Sequence, residues 1–181
     1  MRATIRQASH ADAAAIAIIY NQGIEDRGAT FETVPRTVAD IVAKLADDER
    51  FPMLVAEDRG AVLGWAGLSS YRPRACYSGI AEFSIYLERG ARGRGIGRQL
   101  LTSLVTVATE LGYWKLVSRV FPFNTASRAL CGACGFREVG VYEKHARLDG
   151  EWRDVVIVER LIPENMTPAD ASRSVDVRDK A

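Results

Sequence analysis

The sequence predicts one α/β domain of the α+β type, with a mixed, largely antiparallel sheet of about seven strands and four helices. Its 181 residues, 48% of them hydrophobic, suffice for one sizeable core but would be cramped as two domains. Short apolar runs typical of strands alternate with segments whose apolar residues recur every three to four positions, as on one face of a helix. Turn signals at Asp58-Arg59-Gly60 and Asp149-Gly150 predict two hairpins.

The first half of the chain is predicted to contain one strand, two helices and three further strands. Ser9 and Asp12 resemble a capping box at the start of the first helix, and Thr37 can cap the second. A polar connection over residues 25–35 separates the two helices, and a loop over residues 69–78 precedes the fourth strand. The predicted strands of this half are 2–7, 51–56, 61–68 and 80–87.

The second half predicts a long helix, a strand, a short helix and a final hairpin. Gly112 ends the long helix, and Asn124 is placed to cap the short one. The apolar residues that define the buried face of the long helix are Leu100, Leu104, Ala108 and Leu111. The predicted strands are 115–120, 136–147 and 152–161. We expect a folded domain over residues 1–163 and a polar, mobile tail over residues 164–181, which lack apolar periodicity.

A glycine-rich stretch directly before the long helix is the most informative motif of the chain. Its seven residues are Arg92, Gly93, Arg94, Gly95, Ile96, Gly97 and Arg98. Glycine lets the backbone approach an oxyanion, while the N–H groups and dipole at a helix start attract negative charge. The motif therefore predicts a pyrophosphate site, although it lacks the endings of a Walker loop or of the GxGxxG dinucleotide turn. An ordinary glycine-rich loop is the alternative on this motif alone.

Charge and cysteine content argue against several classes of protein. A formal net charge of +1 gives no overall footprint for nucleic acid or for an anionic membrane surface. Because no stretch resembles a signal peptide or approaches the roughly 20 apolar residues of a membrane span, we expect a cytoplasmic protein. Three cysteines, Cys76, Cys131 and Cys134, argue against a disulfide framework, and the distant His10 and His145 argue against a metal site.

The order of the elements and two motifs resemble the GCN5-related N-acetyltransferase (GNAT) superfamily over roughly residues 2–162. The motifs are the glycine loop and the series Asn124, Ser127, Leu130 and Gly135-Phe136. Within the superfamily the chain is similar to the phosphinothricin-type acetyltransferases in four segments. They are Tyr20-Asn21, Thr30-Phe31-Glu32, residues 82–87 and residues 150–154. This resemblance implies a sheet splayed at its centre, acetyl-coenzyme A (acetyl-CoA) as donor, no metal, and a homodimer. It also implies small glutamate-like acceptors with a second acidic group, such as phosphinothricin, methionine sulfoximine or arsinothricin.

The resemblance assigns the donor to the fourth strand and to the two motifs. Main-chain groups of Ile85, Tyr86 and Leu87 are expected to hold the pantetheine arm and to orient the thioester, so Tyr86 also counts among the catalytic candidates. Residues 92–98 hold the pyrophosphate, and Asn124 and Ser127 are further donor contacts. Core packing of the strand and helix capping by Asn124 are structural roles that these residues can also fill.

Two further residues are the candidates for proton transfer. An α-amino group is mostly protonated at neutral pH, and Glu82 is the candidate base that removes the proton, directly or through water. A surface carboxylate is the alternative interpretation. Many relatives carry a tyrosine, or in this subgroup a histidine, seven residues after the motif asparagine, to protonate the leaving thiolate. Cys131 occupies that position here and is the candidate acid, with core packing as the alternative.

The loop before the fourth strand is the candidate site for the acidic groups of the acceptor. Arg72 and Arg74 can present forked donors to a carboxylate and to a phosphinate or arsonate-like group. A solvated basic loop is the alternative. The complete set of substrate-binding candidates is Phe31, Glu32, Arg72, Arg74, Tyr77, Glu82 and Ser84.

Together these expectations describe an N-acetyltransferase that masks the α-amino group of a small anionic amino-acid analogue and thereby gives resistance to it. The nearest alternative acetylates the amino terminus of a ribosomal protein. A non-catalytic module that binds acetyl-CoA is the other alternative. The sequence does not distinguish phosphorus, arsenic or sulfur in the acceptor.

Overall fold

A seven-stranded sheet forms the centre of the computed structural model, which describes residues 3–47 and 49–166. The strands are β1 (Thr4–Gln7), β2 (Met53–Asp58), β3 (Ala61–Ser70), β4 (Ile80–Leu87), β5 (Lys115–Val120), β6 (Arg137–Leu148) and β7 (Glu151–Leu161). The helices are α1 (Ala13–Glu25), α2 (Val38–Leu45), α3 (Ile96–Glu110) and α4 (Thr125–Ala133). The strand order is β1-β2-β3-β4-β5-β7-β6, with β4 and β5 parallel and the other neighbours antiparallel. The predicted fold class is confirmed.

Local side-chain signals determine where the helices begin. The Asp12 carboxylate accepts hydrogen bonds from the main-chain N–H and the hydroxyl of Ser9, at 2.8 and 3.0 Å. The Asn124 side chain accepts from the N–H of Ser127 at 3.1 Å, and Thr37 caps α2 in the same way. These three predictions are confirmed, because each depends only on residues within one helical turn of the cap.

Two layers of helices cover the two faces of the sheet. The helices α1 and α2 pack on the face that carries Val55 and Trp65, and α3 packs on the face that carries Ala56 and Phe83. The predicted buried face of α3 is confirmed for Leu100, Leu104 and Ala108. The prediction for Leu111 is wrong, because the helix ends at Glu110 and leaves Leu111 45% exposed.

The sheet opens between its two parallel strands. Pairing of β4 with β5 is confined to Ile80–Glu82 opposite Lys115–Val117. Just beyond it, the hydroxyl of Ser118 donates a hydrogen bond to the carbonyl of Phe83 at 2.9 Å. Past that bond no strand of the described residues pairs with the rest of β4 on this side, so the expected splay at the centre of the sheet is confirmed.

The folded part of the chain continues slightly beyond the predicted boundary at residue 163. A short turn, Pro163–Asn165, lets the Asn165 side chain donate to the carbonyls of Thr109 and Tyr113 at 2.8 and 2.9 Å. The first residues of the predicted tail are therefore docked on the domain, and residues 167–181 lie outside the described residues. Among residues 3–47 and 49–166, no helix has the length and apolar character needed to cross a bilayer.

Candidate active site

Two adjoining cavities occupy the region where β4 and β5 diverge. The loop cavity, of about 680 Å³, lies between the glycine loop, the end of β4 and α4. The splay cavity, of about 340 Å³, lies between β4, β5 and the segment after α1. Both volumes fall in the range typical of small-molecule sites. The residues that line both cavities are Ala29, Ile85, Tyr86, Asn124 and Ser127.

The three glycines of the loop have two different structural roles. Gly93 and Gly95 have φ angles of 72° and 79°, in the left-handed region that favours glycine, and no atom of the described residues beyond the adjacent ones lies within 4 Å of where a Cβ would stand. At Gly97, a Cβ would lie 3.2 Å from Leu130 and 3.3 Å from Leu87. The first two glycines therefore shape an open loop, whereas Gly97 permits close packing of α3.

The start of α3 directs main-chain N–H groups towards the loop cavity. Gly95 is the N-cap, and its carbonyl accepts the N–H of Gln99 at 3.4 Å. The N–H groups of residues 96–98 precede that bond and have no acceptor within the helix. Ile96 is buried and anchors the helix start, and Arg94 donates to the carbonyl of Gly90 at 3.4 Å. This arrangement suits an anion such as pyrophosphate.

The loop arginines differ in what holds them. Asp26, at the end of α1, forms ion pairs with Arg89 at 2.7 Å and with Arg92 at 2.8 Å. Hydrogen bonds from Arg89, and then from Arg92, lower the pKa of Asp26. Arg92 also donates to the carbonyl of Leu87 at 3.3 Å. Arg98 lines the cavity and has no carboxylate partner within the described part of the chain, so its charge is available to a ligand.

The free edge of β4 offers main-chain groups to the gap. The Phe83 carbonyl points towards β5, where Ser118 donates to it. Because main-chain groups alternate between the two edges of a strand, those of Ile85 and Leu87 face the same open edge, and those of Tyr86 face β3. An extended ligand arm can pair with Ile85 and Leu87 as an added strand would. Tyr86 contributes its ring instead.

An aromatic cluster under the site holds that ring. The Tyr86 ring stacks on Trp65 with 4.9 Å between centroids and meets Tyr20 edge-on at 4.7 Å. Burial raises the pKa of the Tyr86 hydroxyl well above its usual value, and burial also raises the pKa of Tyr20. Both phenols therefore stay protonated at neutral pH. Tyr86 lines both cavities, so it lies where the two chambers adjoin.

Glu82 lies in the splay cavity at the point where β4 leaves β5. Its carboxylate forms an ion pair with Arg119 of β5 at 2.6 Å. The two side chains share one face of the sheet, because Glu82 pairs with Val117 and Arg119 is two residues further along β5. Ser84 lies on the same face of β4 and also lines the cavity. Sequence reasoning missed Arg119, which alternation along β5 could have revealed once the register was known.

The segment after α1 forms the opposite wall of the splay cavity. The Phe31 ring packs edge-on against Phe121 with 4.9 Å between centroids, and Glu32 forms an ion pair with Arg36. The Asn21 side chain donates to the Arg36 carbonyl at 3.0 Å and accepts from its N–H at 2.7 Å. Asn21 thus fixes the wall that carries Phe31 and Glu32, two of the predicted substrate-binding residues.

Cys131 reaches the splay cavity from α4 but is only 2% exposed. Burial raises the pKa of its thiol to about 12. An ordinary thiol has a pKa near 8.5, so transfer of a proton from Cys131 to a leaving thiolate is unfavourable by roughly 5 kcal/mol. The geometry favours the packing role over the acid role. Cys131 and Cys134 are free thiols, and the described residues contain no cluster of three His, Cys, Asp or Glu side chains that could hold a metal.

The predicted acid-binding loop lies outside the splay cavity. Arg72 and Arg74 are exposed, and the Arg72 guanidinium lies 5.4 Å from the Tyr71 ring. Tyr71 meets Tyr77 edge-on with 5.7 Å between centroids. The structure does not bring these side chains to Glu82, and their role in substrate binding stays a prediction.

Comparisons with known proteins show which sequences and structures this chain is similar to. The model of the Acetyltransferase (GNAT) family matches residues 19–136. A phosphinothricin N-acetyltransferase of Alcaligenes faecalis is 38% identical over 87% of this chain and 81% of its own length. A GNAT superfamily phosphinothricin acetyltransferase from Sinorhizobium meliloti, solved in complex with AcCoA, gives a TM-score of 0.87 at 33% identity and covers 96% of this chain and 95% of that chain. A ribosomal-protein-alanine N-acetyltransferase from Brucella melitensis gives a TM-score of 0.85 at 33% identity and covers 88% of this chain and 99% of that chain.

Proposed function

Since this chain belongs to the GNAT acetyltransferase family, we propose that it acetylates the α-amino group of a small anionic amino-acid analogue of the phosphinothricin, arsinothricin or methionine sulfoximine type. The chain is an acetyl-CoA-dependent N-acetyltransferase, and the proposal concerns its acceptor and the residues that act on it. Masking the α-amine would give resistance to a toxic analogue. The relatives named for phosphinothricin support this choice of acceptor.

One observation carries the proposal: a carboxylate lines the cavity that adjoins the loop cavity. Glu82 lines the splay cavity, and Ile85 and Tyr86, three and four residues further along β4, line both chambers. Because the two cavities share part of their lining, an amine bound at Glu82 lies in the chamber that adjoins the donor site. The position of Glu82 therefore suits a base that removes the ammonium proton before transfer.

The loop cavity fits acetyl-CoA, which supplies the acetyl group. The open positions at Gly93 and Gly95 let the backbone approach a pyrophosphate, and Arg98 adds an available positive charge. Ile85 and Leu87 offer main-chain groups to an extended pantetheine arm. Asn124 and Ser127 line the passage between the chambers, so they also contact the donor in this proposal.

In this proposal the acceptor is held in the splay cavity. Phe31, Glu32 and Ser84 line the splay cavity around Glu82. Arg72 and Arg74 stand on an exposed loop, from which they would attract the second acidic group of the acceptor. In this proposal the splay cavity positions the amine, and the loop selects for negative charge.

The test measures thiol release from acetyl-CoA with five acceptors: phosphinothricin, arsinothricin, methionine sulfoximine, glutamate and a ribosomal amino-terminal peptide. We expect the fastest turnover with one of the three glutamate analogues. Arg74→Ala should raise the KM for that analogue far more than the KM for acetyl-CoA. Arg50→Ala, which removes an exposed arginine outside both cavities, is the matched control and should change neither value. Equal effects of Arg74→Ala on both KM values would contradict the substrate assignment.

A second candidate function has one specific observation in its favour. The similar structure from Brucella melitensis is named as a ribosomal-protein-alanine N-acetyltransferase. A peptide acceptor would be favoured by an open acidic groove, whereas Arg119 adds positive charge inside the splay cavity and Arg72 and Arg74 add it on an exposed loop outside the cavity. Turnover with the peptide alone would transfer the assignment to protein modification.

A further inference from the structure

Arg119 is a charged residue in the splay cavity that the proposed reaction leaves without a role. Of the described residues that line this cavity, it alone carries a positive charge. Its guanidinium lies 2.6 Å from the Glu82 carboxylate, and its side chain is 41% exposed against 24% for Glu82. The pair is thus open to the cavity from the arginine side.

The other charged group on the cavity wall, Glu32, has its ion-pair partner outside the cavity lining. Glu32 forms an ion pair with Arg36, and Asn21 fixes the main chain of Arg36 through two hydrogen bonds. Among the described residues, Glu82 and Arg119 therefore form the ion pair of which both members line the cavity. Both side chains come from strands rather than loops, so their spacing is set by the register of β4 and β5.

We propose that Arg119 binds the α-carboxylate of the acceptor while Glu82 receives the α-ammonium group. This inference rests on the proposed function and assigns Arg119 as a specificity-determining residue for it. A free α-amino acid carries its ammonium and carboxylate on one carbon, which matches a carboxylate and a guanidinium that touch each other. When the acceptor binds, the ion pair between Glu82 and Arg119 is replaced by two ion pairs, one from each residue to the acceptor. The forked guanidinium then holds the acceptor carboxylate in one orientation.

This assignment separates free amino acids from other amines. A peptide amino terminus has an amide in place of the α-carboxylate, so it would leave Arg119 without its partner. An alkyl amine without the carboxylate would do the same. Arg72 and Arg74 then remain for the second acidic group of the acceptor, which is bound further from Glu82.

The test compares phosphinothricin and L-methionine sulfoximine with their α-carboxamides, in the wild type and in Arg119→Gln. We expect Arg119→Gln to lower kcat/KM for the free acids about 50-fold, mainly through KM, as loss of a charge-assisted hydrogen bond does. The kcat/KM for the carboxamides should stay within about threefold, and the KM for acetyl-CoA should not change. Arg119→Lys should restore part of the loss, and Arg50→Gln is the control for removal of an exposed arginine.

Each outcome of this experiment either supports or overturns the role assigned to Arg119. If Arg119→Gln lowers kcat/KM equally for the acids and the carboxamides, Arg119 only positions Glu82, and the inference is overturned. An unchanged kcat/KM for the acids overturns it as well. If the wild type acetylates none of the four compounds but acetylates the ribosomal peptide, the proposed function fails and the inference fails with it. The wild-type rates thus test the function, and the acid-to-carboxamide ratio tests Arg119.

Discussion

Replacement of Gly95 by alanine tests whether the glycine loop is shaped as the structure indicates. Gly95 is the N-cap of α3 with a φ of 79°, and no atom of a described, non-adjacent residue lies within 4 Å of the position that a Cβ would take. Because nothing clashes, the cost of Gly95→Ala is the left-handed backbone alone, about 1–2 kcal/mol. For a domain of this size that lowers Tm by about 2–8 °C. The KM for acetyl-CoA should rise, since a relaxed backbone would redirect the N–H groups of residues 96–98.

Gly132→Ala is the matched control, because the same chemical change is expected to raise Tm rather than to lower it. Gly132 lies in α4 with helical backbone and also has no atom within 4 Å of its Cβ position. Alanine is favoured over glycine inside a helix by about 0.5–1 kcal/mol, so Tm should rise by about 1–4 °C. The assay is thermal denaturation with and without acetyl-CoA, together with the KM for acetyl-CoA. A Gly95→Ala protein as stable as the wild type, or equal shifts in both variants, would refute the reasoning.

Three further predictions concern single side chains. Glu82→Gln should lower kcat about 100-fold, as removal of a general base does, with little change in the KM for acetyl-CoA. A kcat within threefold of the wild-type value would contradict the role of Glu82 as the base. Cys131→Ala should keep kcat within about twofold, because a thiol with a pKa of about 12 is a poor acid; a 100-fold loss in a folded variant would restore the acid role. Asp12→Asn should cost about 2 kcal/mol at neutral pH, because Asp12 accepts from Arg6 and Ser9. The bond from Arg6 holds the pKa of Asp12 well below its usual value, so this stability is present above about pH 4 and is lost as the pH falls. Urea denaturation measures the free energy of unfolding of the wild type and of Asp12→Asn. The difference between the two values should be smaller at pH 3 than at pH 7, and an equal difference at both pH values would contradict the account.

The fold could be predicted from the sequence because its signals are local. The caps at Ser9, Thr37 and Asn124 act within one turn, and the hairpin turns act within a few residues. Leu111 was misplaced because periodicity does not show where a helix stops within one residue. The docking of Asn165 on Thr109 and Tyr113 was not predictable either, since it depends on contacts between distant segments.

The site was predictable only where one motif contains the whole feature. The glycine loop is contiguous, so its shape could be inferred from residues 92–98. Asp26 and Arg119 were missed because their partners, Arg92 and Glu82, lie 66 and 37 positions away in the sequence. Arg74 was singled out from local charge, but the direction of its loop depends on the rest of the fold. A homodimer stays a prediction from the resemblance.

The most direct test of the central claim identifies the product formed from phosphinothricin and acetyl-CoA. Mass spectrometry would locate the acetyl group, and thiol release would count the coenzyme A set free. We predict acetylation at the α-nitrogen, with one free thiol for each acetylated molecule. Thermal stabilisation by acetyl-CoA without any acetylated product from phosphinothricin, arsinothricin or methionine sulfoximine would contradict the assignment of the splay cavity to a small anionic amino acid.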